Sequence, residues 1–252
     1  MTELSTVEFE VCWDRLGLGP LPPVLDIPST GRTHEERRAT VTAAFDALRA
    51  AGLADWHGPS AALAADLALL RRCTWAVDAR VMTGRLVRAR AAVAGGRGVL
   101  AVLDGDRVVL RAVPVHEVVD EVTALAGAAP PGRIESVSVR ADALDTAAAV
   151  ANDDPVALSD GLVTLGEQPA DASAVARICH GAHTRGQFAI RPEGREPVAF
   201  HTTTEARYLH LRRDGQVTFT SDPGPLLPAR VRGALPATTP CPPTAPCGHR
   251  PG

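Results

Sequence analysis

Three side chains able to move protons, His201, Tyr208 and His210, alternate along one stretch near the C-terminus, RGQFAIRPEGREPVAFHTTTEARYLHLRRDGQVTFT from Arg185 to Thr220. With Gln187 they form a polar strip in which one imidazole would act as a base and its neighbour as the partner. Neither histidine has an obvious local carboxylate to orient it, so a binding face or a cross-strand cluster is the simpler expectation. An enzyme using this strip requires a deep pocket and a carboxylate within hydrogen-bond reach of a histidine. A helix-covered strip would remove that alternative.

Other candidates are weaker. His180 and His183 sit at a helix end without the glutamate of a zinc-protease motif, and a histidine there is accounted for by the helix dipole. Cys241, Cys247 and His249 have none of the usual zinc spacings. Gly95-Gly96-Arg97-Gly98 precedes a strand rather than a helix, so no dipole-backed phosphate site follows, and Gly95 and Gly96 read as a flexible loop. Arg71, Arg72, Arg85, Arg88, Arg90 and Arg97 would need to converge to make a nucleic-acid patch, and they lack interleaved aromatics. No nucleophile elbow, Walker loop or dinucleotide fingerprint is present. No cofactor and no metal are expected.

The elements that would position these residues follow from periodicity. Four short alternating segments place Phe188 and Ile190, Val198 and Phe200, Leu209 and Leu211, and Val217 and Phe219 on one apolar side, with turns at Glu193-Gly194 and Asp214-Gly215. This predicts an antiparallel meander with one apolar face. Upstream, Ser5 to Glu8 and Thr33 to Glu36 have capping-box spacing. Each opens an amphipathic helix, and Pro59 suits the first turn of a third. Leu21 to Ile27 reads as an extended, Pro-interrupted edge strand. Strands are predicted from Trp75 onward, with a hairpin at Asp104-Gly105 and a helix after Pro114. Ile134 to Val139 reads as a strand, Ala141 to Ala151 as a helix and Asn152 to Gln168 as irregular. Further helices are expected after Pro169 and from Leu226 to Leu235.

A shift of about 110 residues superimposes Pro59 on Pro169, Asp104-Gly105 on Asp214-Gly215, and Leu125 on Leu235. The spacing predicts an internal duplication, roughly 24–127 and 134–237, within one domain of residues 1–235. The fold class is therefore α+β: a quasi-two-fold molecule with a central antiparallel-rich sheet flanked by two helical bundles. Residues 236–252 contain six prolines and no apolar pattern, as in a disordered tail.

The 252 residues carry a formal net charge of −3, which gives no reason to expect nucleic acid or an anionic membrane as partner. All 26 basic residues are arginine. The N-terminus lacks the basic and apolar regions of a signal peptide. Five scattered cysteines argue against a disulfide framework. A cytosolic protein is expected.

Taken together, VEFEVCWDRLGLG, the GVLAVLDGDRVVLRAVP hairpin, the SVSV strand, RGQFAIR, and PVAFHTTTEARYLHLRRDGQVTF resemble the EspG family, secretion-associated chaperones of actinobacterial type VII (ESX) systems. The resemblance runs from Leu4 to about Leu235, leaving out the proline-rich tail. It implies a non-enzymatic cytosolic chaperone with a central sheet and two helical bundles. Its partner would be the tip of a PE–PPE-type heterodimer, or another secreted helical protein. It also implies a mobile, binding loop between the second and third strands, matched to Ala94 to Gly98. The polar strip of Gln187, His201, Tyr208 and His210 becomes a candidate docking surface.

Overall fold

The computed structural model describes residues 1–31, 33–130, 136–192 and 196–236. Local sequence starts its helices as expected. Helix α1 spans Thr6–Arg15, with a reciprocal cap between Ser5 and Glu8. Helix α2 spans His34–Ala50 behind the same arrangement of Thr33 and Glu36. Each box satisfies two amide groups left open at a helix start. Helix α3, Ala61–Arg71, leaves Pro59 just outside its first turn, because Ser60 supplies the cap, accepting from the Leu63 amide. The Arg37 guanidinium spans Glu10 and Asp14 and clamps α2 onto α1. Beneath, Phe9, Cys12, Trp13, Leu48, Leu67 and Leu70 form a buried core.

Among the described residues, ten strands form one antiparallel sheet. They are β1 Thr2–Ser5, β2 Trp75–Met82, β3 Leu86–Ala94, β4 Arg97–Asp104, β5 Arg107–Val113, β6 Ser136–Arg140, β7 Thr184–Arg191, β8 Val198–Thr202, β9 Arg207–Arg213 and β10 Gln216–Asp222. Their spatial order is β1-β5-β4-β3-β2-β7-β8-β9-β10-β6, so β2 and β7 meet at the centre and each side repeats the other. The second helical group is α5 Ala141–Ala151, α6 Pro155–Thr164 and α7 Pro169–His180.

Cross-strand register shows which face each group covers. Helices α1 to α3 pack on Ala76, Ala92, Val99, Ala101, Leu103, Val108 and Leu110. Helices α5 to α7 pack on Tyr208, Val217, Phe219 and Val139. Continuous pairing through Arg80, Gln187, Ala199, His210 and Phe219 places both groups on the same face. The opposite face, with Val77, Ala91, Phe188 and Phe200, is covered by the short helices α4 Val118–Thr123 and α8 Leu226–Ala234.

Burial on both faces explains where periodicity misled. Val217 and Phe219 do not share a face with Phe188 and Phe200. The tight turn at Asp214-Gly215, both with positive φ, sets Phe219 opposite His210, so β10 buries its apolar side under α5 to α7. Two layers of helix make both faces apolar in places, and alternation within one strand no longer names the face. The stretch from 152 to 168, expected to be irregular, contains α6. Asp154 caps it by accepting from the Val156 amide, and Pro155 stands at its first position, a start signal present in the sequence. Leu21 to Ile27 is not a strand; Pro23–Leu25 forms a single 3-10 turn. Strand β1 was not anticipated, being four residues long. The Glu193-Gly194 turn and the cysteines at 241 and 247 lie outside the described residues.

The RGQF segment owes its glycine to packing. A Cβ on Gly186 would lie 2.4 Å from the Arg80 carbonyl oxygen and 2.9 Å from the Phe200 ring, where β7 crosses the stacked pair Phe188–Phe200. Gly186→Ala is expected to cost about 1–3 kcal/mol through overpacking, read as a lower urea midpoint at unchanged slope.

Candidate functional site

Between the two helical groups, the middle strands β2, β7 and β8 are left open. The floor of this cleft carries Arg80, Gln187 and Ala189, and Pro23 and Val24 form part of one wall. That section is about 550 Å3. Toward α5 and α6 it adjoins a second hollow of about 300 Å3, lined by Leu144, Ala148, Leu158, Phe219, His201, His210, Arg185 and Arg212. Met82 and Leu86, 36% and 43% exposed, stand at the same end, in the cross-strand row of Arg185 and His201. The surface is an open trough with apolar spots and a polar rim, the form of a protein-docking surface.

The predicted docking residues separate. Gln187, His201 and His210 lie together along this trough. Tyr208 does not reach it: the side chain is 3% exposed beneath α7 and belongs to the core under that helix group. Gly95 and Gly96 form the two-residue turn closing the β3–β4 hairpin, with Ala94 paired to Arg97 and both glycines at positive φ. This is a tight turn between the third and fourth strands, not a flexible loop between the second and third; the latter connection is Thr83 to Arg85. Nine residues of β3 separate Gly95 from the Leu86 end of the trough, roughly 30 Å at strand rise.

The histidines are poor bases here. His201, His210 and Phe219 are layered, with the His210 and Phe219 rings 4.9 Å apart and the two imidazoles 6.0 Å apart. Burial pulls the His201 pKa down to about 4, helped by His210 and Arg185. Burial likewise lowers His210, helped by Arg212 and opposed by Asp145. Asp145, the nearby carboxylate, spends both oxygens on Arg212 at 2.6 and 2.7 Å. Nδ1 of His201 has no hydrogen-bond partner among the described residues. The carboxylate that would orient a catalytic imidazole is thus committed elsewhere. Cys179, also at this hollow, is held up to about 11 by burial, so it is no thiolate nucleophile.

The FHTT and RYL segments are scaffolding. Arg207 is 3% exposed and donates to the carbonyls of Ala126 and Gly127 and to Thr202 Oγ1, tying β9 to the end of the α4 segment. Burial lowers its pKa while Asp222 opposes. Thr203 closes the β8–β9 turn, its hydroxyl accepting from the Glu205 and Ala206 amides.

The arginines that would have made a nucleic-acid patch disperse. Arg90 is buried against Asp78, Arg85 pairs with Asp104, and Arg97 with Asp66. Arg71 donates to the Leu18 carbonyl. Among the described residues, no group of three His, Cys, Asp or Glu side chains is placed to hold a metal. No described helix is long and apolar enough to cross a membrane.

Comparison with known proteins gives two findings. Residues 5–242 match the sequence profile of the EspG family, extending a few residues into the proline-rich segment. The fold matches a solved structure of the Mycobacterium tuberculosis type VII secretion system chaperone EspG5 in complex with the PE25–PPE41 dimer. The TM-score is 0.69 at 14% identity, covering 92% of this chain and 94% of that one. A search of curated proteins returns no match.

Proposed function

Because the chain belongs to the EspG family, we propose that it is a cytosolic chaperone that binds a helical, PE–PPE-type substrate of type VII secretion and shields its apolar tip until export. The family match across nearly the whole chain carries this reading. Likeness of fold to EspG5, solved with a PE–PPE dimer, supports it. The cleft between the helical groups is the proposed seat. Gln187, His201 and His210 lie on its floor, and Met82, Leu86, Leu144 and Leu158 supply apolar contact. Binding of this kind needs complementarity and exclusion of water, not a reactive group. Tyr208 flanks the floor on the same face, packed beneath α7, and Gly95 and Gly96 stand apart from it.

Co-expression with PE–PPE pairs encoded in the source genome, followed by affinity capture and size-exclusion chromatography, tests the reading. The expected product is a stable ternary complex. A folded chain that captures none of the pairs contradicts it.

A further inference from the structure

Three arginines on the cleft side of the sheet have no ion pair among the described residues. Arg80 on β2 stands directly opposite Arg88 on β3. Arg185 on β7 lies one step diagonally from Arg80, two residues before its partner Gln187. Directly opposed side chains in a sheet are about 5 Å apart at Cβ and diagonal ones about 7–8 Å, and like charges so placed repel. Each of the first two is steered by a neutral carbonyl: Arg80 donates to Pro23 at 3.1 Å and Arg88 to Asp26 at 2.8 Å. None of the three has an ion pair among the described residues. Of the carboxylates around the cleft, Asp78 holds Arg90 and Arg191, Asp145 holds Arg212, and Asp154 accepts from the Val156 amide; Asp153 lines the hollow that Arg185 lines, with no ion pair to it. Glu196 acts on Arg212 as well. Twelve arginines are ion-paired among the described residues, whereas these three lie close together on one sheet face without such a pair.

We propose that the client segment seated in the cleft carries a cluster of carboxylates that docks on Arg80, Arg88 and Arg185, beside an apolar anchor that rests on Met82 and Leu86. This rests on the reading of the cleft as the client's seat. Charge complementarity selects an acidic partner, and bidentate guanidinium–carboxylate geometry adds direction. It relieves a like-charge repulsion already present in the free chain, so neutralising these arginines should leave stability unchanged or raised. The adjoining apolar spots favour a folded protein tip over a nucleic acid, which would need a longer basic track and stacking surfaces.

The test uses the PE–PPE pair captured by the full chain, with Kd measured across a salt series for wild type, Arg80→Gln, Arg88→Gln, Arg185→Gln and the triple variant. Each single change is expected to weaken binding several-fold and the triple about 100-fold, while flattening the salt dependence. Leu86→Ser should weaken binding and leave the salt dependence intact. The exposed Arg185→Gln serves as the reference if a multiple variant folds poorly. Triple-variant affinity within about twofold of wild type, with the complex still formed, overturns the proposal and leaves the chaperone reading standing. Capture of no pair by wild type overturns both. Salt-sensitive binding of a 20-base-pair DNA duplex, lost in the triple variant, assigns the cluster to nucleic acid and overturns it as well.

Discussion

Asp78→Ala is expected to destabilise the protein by about 3–5 kcal/mol, the cost of stranding a buried charge. Asp78 and Arg90 are 5% and 8% exposed, and one Arg90 nitrogen bonds both Asp78 oxygens, at 2.8 and 3.1 Å. Arg90 also donates to the Leu70 carbonyl at the end of α3, and Arg191 reaches Asp78 from β7 at 3.2 Å. The carboxylate therefore joins β2, β3, β7 and α3 at the seam between the two halves of the sheet. Removing it leaves a buried guanidinium without its counter-charge and shielded from water. Arg90→Met added to Asp78→Ala should recover much of the loss, because the pair's net contribution is smaller than the cost of breaking it. Urea unfolding of the three variants measures this; a single-variant loss below about 1 kcal/mol would mean that Arg90 is hydrated once its partner is gone.

Acidification is expected to weaken the fold through His201. Its folded pKa is about 4 against an ordinary 6.5, so between these values the unfolded chain binds the proton and the folded chain does not. Stability then rises with pH across that window and falls as pH drops from 6.5 toward 4. The full difference is about 3 kcal/mol for a group this buried. His201→Leu should lose this acid limb, visible as a flatter slope of unfolding free energy over the same window. His210, also lowered by burial, adds a smaller limb of the same sign. Equal slopes for wild type and variant would show that the imidazole is solvated in the native state.

Much of the fold was legible because it is written locally. Two capping boxes, the Asp104-Gly105 and Asp214-Gly215 turns, and the alternation of β2 through β5 place the helices and hairpins. The order of strands, with β2 against β7 and the sides repeating outward, supports the proposed internal duplication. It favours a first half that includes β1 and α1, ahead of the boundary at residue 24. What alternation could not convey was the second layer of helices. Once α5 to α7 cover one face of the second half, Tyr208 is a core residue and Phe219 turns toward His210. Three residues of the polar strip therefore line the cleft, and Tyr208 belongs to the core. Arg90 could not be told from Arg88 by spacing, since both point the same way from β3; only the position of α3 separates a buried ion pair from a cleft cation. Arg80 and Arg185 were not singled out at all, because their significance is a cross-strand adjacency.

The cleft over β2, β7 and β8 is the proposed seat of a PE–PPE-type client. Amide hydrogen exchange of the captured ternary complex against the free chain measures it most directly. New protection is expected at residues 80–82, 185–189 and 199–201, with the β3–β4 turn at Gly95-Gly96 unchanged. Protection confined to that turn, or to α4 and α8 on the opposite face, would contradict it.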